Sequence, residues 1–193
     1  MKKNLKYLIL ILLLGLSAAL WGCMATVGSP TTPSPLKKTG EAPKAAMLPI
    51  ISSNDQAVSS HATGHLEKCL QDRNAFNFVP KEKVEQAVAA GRYDMTKIFG
   101  LSTAEYKALA SALGVDYVLH GIVAVRKSLK FTGWRKDVDV YIKLYDGKSG
   151  ESIDSWRSMT DFAFSDASTE LDAKKMGAAA AAHICEKMGQ SGF

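Results

Sequence analysis

The sequence predicts a single layered α/β domain, a mixed sheet with helices packed on it, in the order β-α-β-α-α-β-β-β-α. Three observations carry this. Val115–Val125 is an almost continuous apolar, β-branched run, which is the pattern of a strand covered on both faces. Just before it, Tyr106, Leu109, Ala110 and Leu113 recur at helical spacing, and Gly114 supplies the left-handed backbone at which a helix can stop. Further on, Val138, Val140, Ile142 and Leu144 alternate with Tyr141, Lys143 and Tyr145, so that one face of Val138–Tyr145 is apolar and the other mixed. A strand covered twice requires helices on the sheet, which gives a layered α/β arrangement.

In chain order, residues 1–22 read as a targeting segment. Lys2, Lys3 and Lys6 form a basic start, and Tyr7–Leu16 a short apolar core. Leu20-Trp21-Gly22-Cys23 resembles the bacterial lipobox, which implies cleavage before Cys23, lipidation of Cys23 and, with Met24 following it, delivery to the periplasmic face of the outer membrane. The alternative is an uncleaved anchor, for which Tyr7–Trp21 is short against a span of about 20 residues. Residues 23–44 read as the lipidated cysteine and a flexible Pro/Ser/Thr-rich tether, with nothing to bury. The formal charge of +5 includes the three lysines of the leader, leaving about +2, too little to indicate a nucleic-acid partner.

Residues 45–190 form the predicted periplasmic domain. Ala45–Ile51 is a first strand in which Pro49 demands an edge position, a bulge or irregular pairing. Asn54 or Asp55 caps a helix to about Asp72, with Val58, Ala62, Leu66 and Leu70 inward. Ala75–Val79 is a short strand, and Pro80 opens a second helix that ends at Gly91. Arg92–Leu101 is a connector with one helical turn around Met95–Phe99. Asp146-Gly147-Lys148-Ser149-Gly150 turns the chain from Val138–Tyr145 into Ser152–Phe162 as an antiparallel hairpin. A last helix begins at Asp166 or Ser168 and includes Leu171–Lys187.

These features carry a family resemblance. Met47-Leu48-Pro49-Ile50, Phe76-Asn77-Phe78-Val79, Leu113-Gly114-Val115-Asp116-Tyr117-Val118-Leu119-His120-Gly121 and Tyr145-Asp146-Gly147-Lys148-Ser149-Gly150-Glu151 resemble a superfamily of bacterial outer-membrane lipoproteins. It contains the curli-secretion channel lipoprotein, the amino-terminal domain of the Tol-Pal translocation protein and the lipoprotein activator of a penicillin-binding protein. The resemblance covers about residues 45–188. It implies an accessory or activator acting through a periplasmic protein partner in envelope assembly or peptidoglycan synthesis. Alternatives are a structural subunit of a secretion-related homo-oligomer and a small-ligand-binding lipoprotein. Against a pore, the candidate insertions Arg92–Leu101 and Lys127–Asp137 are too short for a hairpin whose strands each need about 9–11 residues.

No catalytic set stands out, and the sequence predicts neither an enzyme nor a cofactor. Gly147-Lys148-Ser149 joins two strands and lacks the earlier glycine of a phosphate loop, so it reads as a turn. His120 in the buried strand reads as structural rather than as a general base, and Asp116 as a cap or solvated group. His61, His65 and Cys69 share one helix flank, where with His183 or Cys185 they could ligate zinc; the expected reading is boundary histidines and no metal. With Cys23 acylated, Cys69 and Cys185 are an even pair in an oxidising compartment, which predicts a disulfide if the first and last helices share a face of the sheet, and two buried thiols if they do not. Phe131, Trp134 and Arg135 lie in an expected loop, Phe131–Lys136, whose rings and basic neighbours are the composition of a protein-binding surface. Trp156 beside Arg157 reads as core.

Overall fold

Strand β4 (Tyr117–Lys130) is the element against which the others are assembled. The computed structural model describes residues 41–52, 54–95, 100–130, 133–163 and 170–192. The expected leader, Cys23, nearly all of the tether, most of the turn at Met95–Phe99, Phe131 and the expected start of the last helix lie outside them.

Around β4 the sheet runs β3-β1-β4-β5-β6, where β1 is Lys44–Met47, β3 Asn77–Phe78, β5 Gly133–Asp146 and β6 Ser152–Ala163. Strand β1 is parallel to both β3 and β4, whereas β4, β5 and β6 form an antiparallel meander, so the sheet is mixed as the sequence predicts. The first expected strand is in fact two: β1, and β2 (Ile51–Ser52), which also pairs parallel with β4. Pro49 lies in the gap, and the strand it interrupts is interior, between β3 and β4. The backbone freed beside it is satisfied from the helix above. The Ile50 N–H donates to Thr63 Oγ1 at 3.0 Å, and the buried Ser59 hydroxyl donates to the Ile50 carbonyl. The Asn54 side chain then donates to and accepts from the Val125 backbone, continuing the pairing of β2 by one more step.

Four helices cover the sheet: α1 (Gln56–Asp72), α2 (Lys81–Gly91), α3 (Thr103–Leu113) and α4 (Glu170–Gln190). Asp55 caps α1 by accepting from the Val58 N–H, and Ser102 with Glu105 forms a capping box at α3. Gly114 ends α3 at φ 63°, the left-handed conformation its sequence position predicts. Helices α1 and α4 pack on one face, where Val58, Ala62, Leu66, Leu70, Ala180, Ile184 and Met188 meet Leu119, Val123, Val140, Ile142 and Leu144. Leu66 and Leu70 are fully buried, each a gain of roughly 1.5–3 kcal/mol. On the other face, Val84 of α2 and Tyr106, Leu109 and Ala110 of α3 cover only Ala46, Leu48, Val118 and Tyr145. Strand β4 is therefore covered twice at its start and once further along.

The sequence-based expectation of a loop over Lys127–Asp137 is overturned. Strands β4 and β5 are each 14 residues long and stay in register to Lys130↔Gly133. Trp134, Arg135 and Lys136 are consequently strand residues. Backbone pairing to both neighbours, rather than burial, holds this polar end of the sheet: Arg135 and Lys136 also pair with Ala163 and Phe162 of β6. Only Arg126–Lys130 and Gly133–Asp137 extend past the last apolar core pair, Val125 and Val138, which is still short of the about 9–11 residues per strand that a bilayer requires.

Candidate functional site

The helices α1 and α4 approach closely enough to be joined. Gly177 of α4 sits where a Cβ would come within 2.8 Å of both the Val58 carbonyl and the Ala62 N–H of α1. That contact sets the distance at which Cys69 and Cys185, with Cα atoms 6.4 Å apart, form a disulfide across 116 residues of chain. Arg73 donates to the Cys185 carbonyl beside it. Since Cys69 sulfur is committed to Cys185, the His61–His65–Cys69 flank is not a ligand set. Among the described residues no group of three or more His, Cys, Asp or Glu is placed to hold a metal.

The other expected sites fall in different places. Asp116 accepts from the Lys44 N–H, tying β1 to the start of β4. Gly147-Lys148-Ser149 is a turn, in which Asp146 Oδ1 accepts from the Lys148 and Ser149 N–H groups and is thereby held below the usual carboxylate range. Trp156 is buried and donates from Nε1 to Ser191 Oγ. Of the residues expected to bind a partner, Trp134 lies opposite Leu129 near the end of the hairpin. Arg135 is engaged within its own sheet, donating from Nε to Asp161 at 2.8 Å.

The uncovered face of β4, β5 and β6 is the candidate site. Strand alternation places Ile122, Ala124 and Arg126 of β4 on it, with Asp137, Asp139, Tyr141 and Lys143 of β5 and Arg157, Met159 and Asp161 of β6. Diagonal ion pairs order its charges: Arg157 grips Asp139 with two hydrogen bonds, and Arg135 pairs with Asp161. Both pairs are at least partly exposed, so their value is orientation more than stability. The Arg157 guanidinium holds the Asp139 carboxyl below its usual range, even against partial burial. Between the charges lie apolar groups, of which Met159 is 61% exposed; at the far end of the hairpin Leu129 is 68% exposed.

Where this face meets α3, a polar contact lies at the boundary of the core. His120 is 4% exposed, and its Nδ1 is 2.5 Å from the Tyr106 hydroxyl, which also accepts from the Leu101 N–H. Burial lowers the imidazole pKa to about 4 and raises that of the Tyr106 phenol, so both are neutral at pH 7. The Tyr106 ring stacks on Tyr145 at 3.6 Å. Sequence reasoning found His120 structural but missed its partner. The available signal was that a histidine in a buried strand needs a hydrogen bond and that Tyr106 is an inward residue of the helix just before it.

No protein-family model matches the chain, and no curated protein matches its sequence. Solved structures match it in fold. Lipoprotein GNA1162 from Neisseria meningitidis superposes with a TM-score of 0.53 at 16% identity, over 75% of this chain and 99% of that one. The hypothetical protein CT253 from Chlamydia trachomatis gives 0.50 at 12% identity, over 77% and 94%. The LpoB C-terminal domain from Salmonella enterica is a looser match, 0.47 at 14% identity, over 64% and 85%. At such identities the likeness is one of fold. The chain thus carries the lipoprotein fold that its motifs imply, the fold it shares with lipoprotein GNA1162.

Proposed function

We propose that the protein is a non-enzymatic lipoprotein, anchored through Cys23 to the periplasmic face of the outer membrane, that serves as an accessory or activator in envelope assembly or peptidoglycan synthesis. It acts by docking a periplasmic protein on the uncovered face of β4–β5–β6 and the end of its hairpin, where Trp134 lies. The observation that carries this reading is the composition of that face. Paired charges, Arg157–Asp139 and Arg135–Asp161, frame Ile122, Ala124, Tyr141 and an exposed Met159. Charges already held in place lose little freedom on association, and the apolar groups between them supply the area a protein contact needs. The fold shared with lipoprotein GNA1162 supports an envelope role, and no described helix is long and apolar enough to cross a membrane.

A photo-crosslinking residue placed at Met159 in growing cells tests the reading, with the exposed Gln86 of α2 as control. A discrete adduct from Met159 and none from Gln86 is expected. The same adducts from both positions, or none from Met159, would contradict docking on this face.

A further inference from the structure

The sheet register sets Lys143 directly opposite His120 and Tyr141 opposite Ile122. These four side chains, with Gly100 and Tyr145, line a cleft of about 160 Å³ at the boundary between α3 and the uncovered face. Two polar groups in it lack partners. The Tyr106 oxygen accepts from the Leu101 N–H, and the phenol is held protonated by burial, so its own hydrogen points to His120 Nδ1. The neutral ring then carries its proton on Nε2, which is buried with no hydrogen-bond partner. The Lys143 ammonium has no carboxylate partner among the described residues; its nearest described interaction is with the Tyr141 ring, 5.6 Å from the centroid. A buried N–H without an acceptor and an unpaired cation on facing residues are an incomplete site.

We propose that this cleft binds a carboxylate carried on a short apolar stem, one oxygen accepting from His120 Nε2 and the other from the Lys143 ammonium. Two donors match the two oxygens of a carboxylate, whereas a phosphate, with more charge and more acceptors, would be left underserved. Ile122 and the Tyr141 and Tyr145 rings flank the stem. The carboxylate belongs either to a free organic acid or to an acidic residue of a polypeptide, and the site does not depend on the docking role proposed above.

The test is a nuclear magnetic resonance titration of the isotope-labelled full chain in detergent micelles. The probes are benzoate, benzamide as its neutral isostere, and acetyl-Leu-Glu-amide as a blocked acidic peptide. Saturable shifts of the His120 ring and the Lys143 side chain are expected with benzoate, with the peptide, or with both, and none with benzamide. Benzoate alone identifies a free acid and the peptide alone a polypeptide side chain. Lys143→Met should weaken carboxylate binding by about tenfold or more, while Lys143→Arg retains most of it. Equal response to benzamide, no saturable response to either acid, or an imidazole proton found on Nδ1 overturns the proposal.

Discussion

Acidification from pH 7 to pH 4 should destabilise the fold through His120 in particular. In the unfolded chain this side chain takes a proton near its ordinary pKa of 6.5; in the folded protein burial defers protonation to about 4. The sign follows from linkage. A base whose folded pKa is lowered binds fewer protons folded than unfolded across that interval, so stability falls as pH drops from about 6.5 to about 4, then levels off. At about 1.4 kcal/mol per pH unit, the loss attributable to His120 is of order 3 kcal/mol. Protonation would also put a hydrogen on Nδ1 facing the Tyr106 hydroxyl, so the one hydrogen bond the ring makes would have to reorient. Urea unfolding of the full chain in detergent, at intervals from pH 7 to pH 4, measures this against His120→Gln, whose amide keeps an acceptor for Tyr106. The difference between the two proteins cancels the carboxylates, including Glu67, whose pKa burial raises, and Asp139 and Asp146, whose pKa values are lowered. The wild-type advantage should shrink as pH falls. Parallel stability curves, or a His120 ring titrating near 6.5, would refute the reasoning.

The remaining predictions concern the anchor and the α1–α4 face. Oxidised chain, alkylated under denaturing and non-reducing conditions, should show no alkyl group at Cys69 or Cys185 by intact mass, and Cys69→Ser should cost up to about 4–5 kcal/mol in unfolding free energy from lost loop closure. Alkylation of both thiols would remove the disulfide. Gly177→Ala drives a methyl group into the α1 backbone and should lower stability by about 1–3 kcal/mol, read as a lower urea midpoint; an unchanged midpoint would mean the helices are not held at this distance. Cys23→Ser should abolish metabolic palmitate labelling, and persistent labelling would refute lipidation at that residue.

What could be read from the sequence was whatever depends on burial. Val58, Ala62, Leu66 and Leu70 announced an inward helix stripe, Val138 to Leu144 an inward strand face, and Gly114 a helix end, because each pattern records contact with the core. Parity and compartment suggested the Cys69–Cys185 pair, but whether α1 and α4 share a face is a matter of topology that no local pattern records. The distal hairpin was misread for the complementary reason. Lys127, Lys130, Arg135 and Lys136 interrupt any apolar alternation, so a segment held by backbone pairing looks like a loop. The His120–Lys143 juxtaposition was equally hidden, since it comes from strand register, which the turn at Asp146–Gly150 does not set for β4 and β5.

The central claim is that the uncovered face of β4–β5–β6 is occupied by a protein in the envelope. Hydroxyl-radical footprinting of Met159 in intact cells and in the purified full chain, each normalised to Tyr93 just past α2, measures that directly. The account predicts that Met159, 61% exposed in the chain alone, is oxidised markedly more slowly in cells. Equal oxidation in the two settings would contradict it.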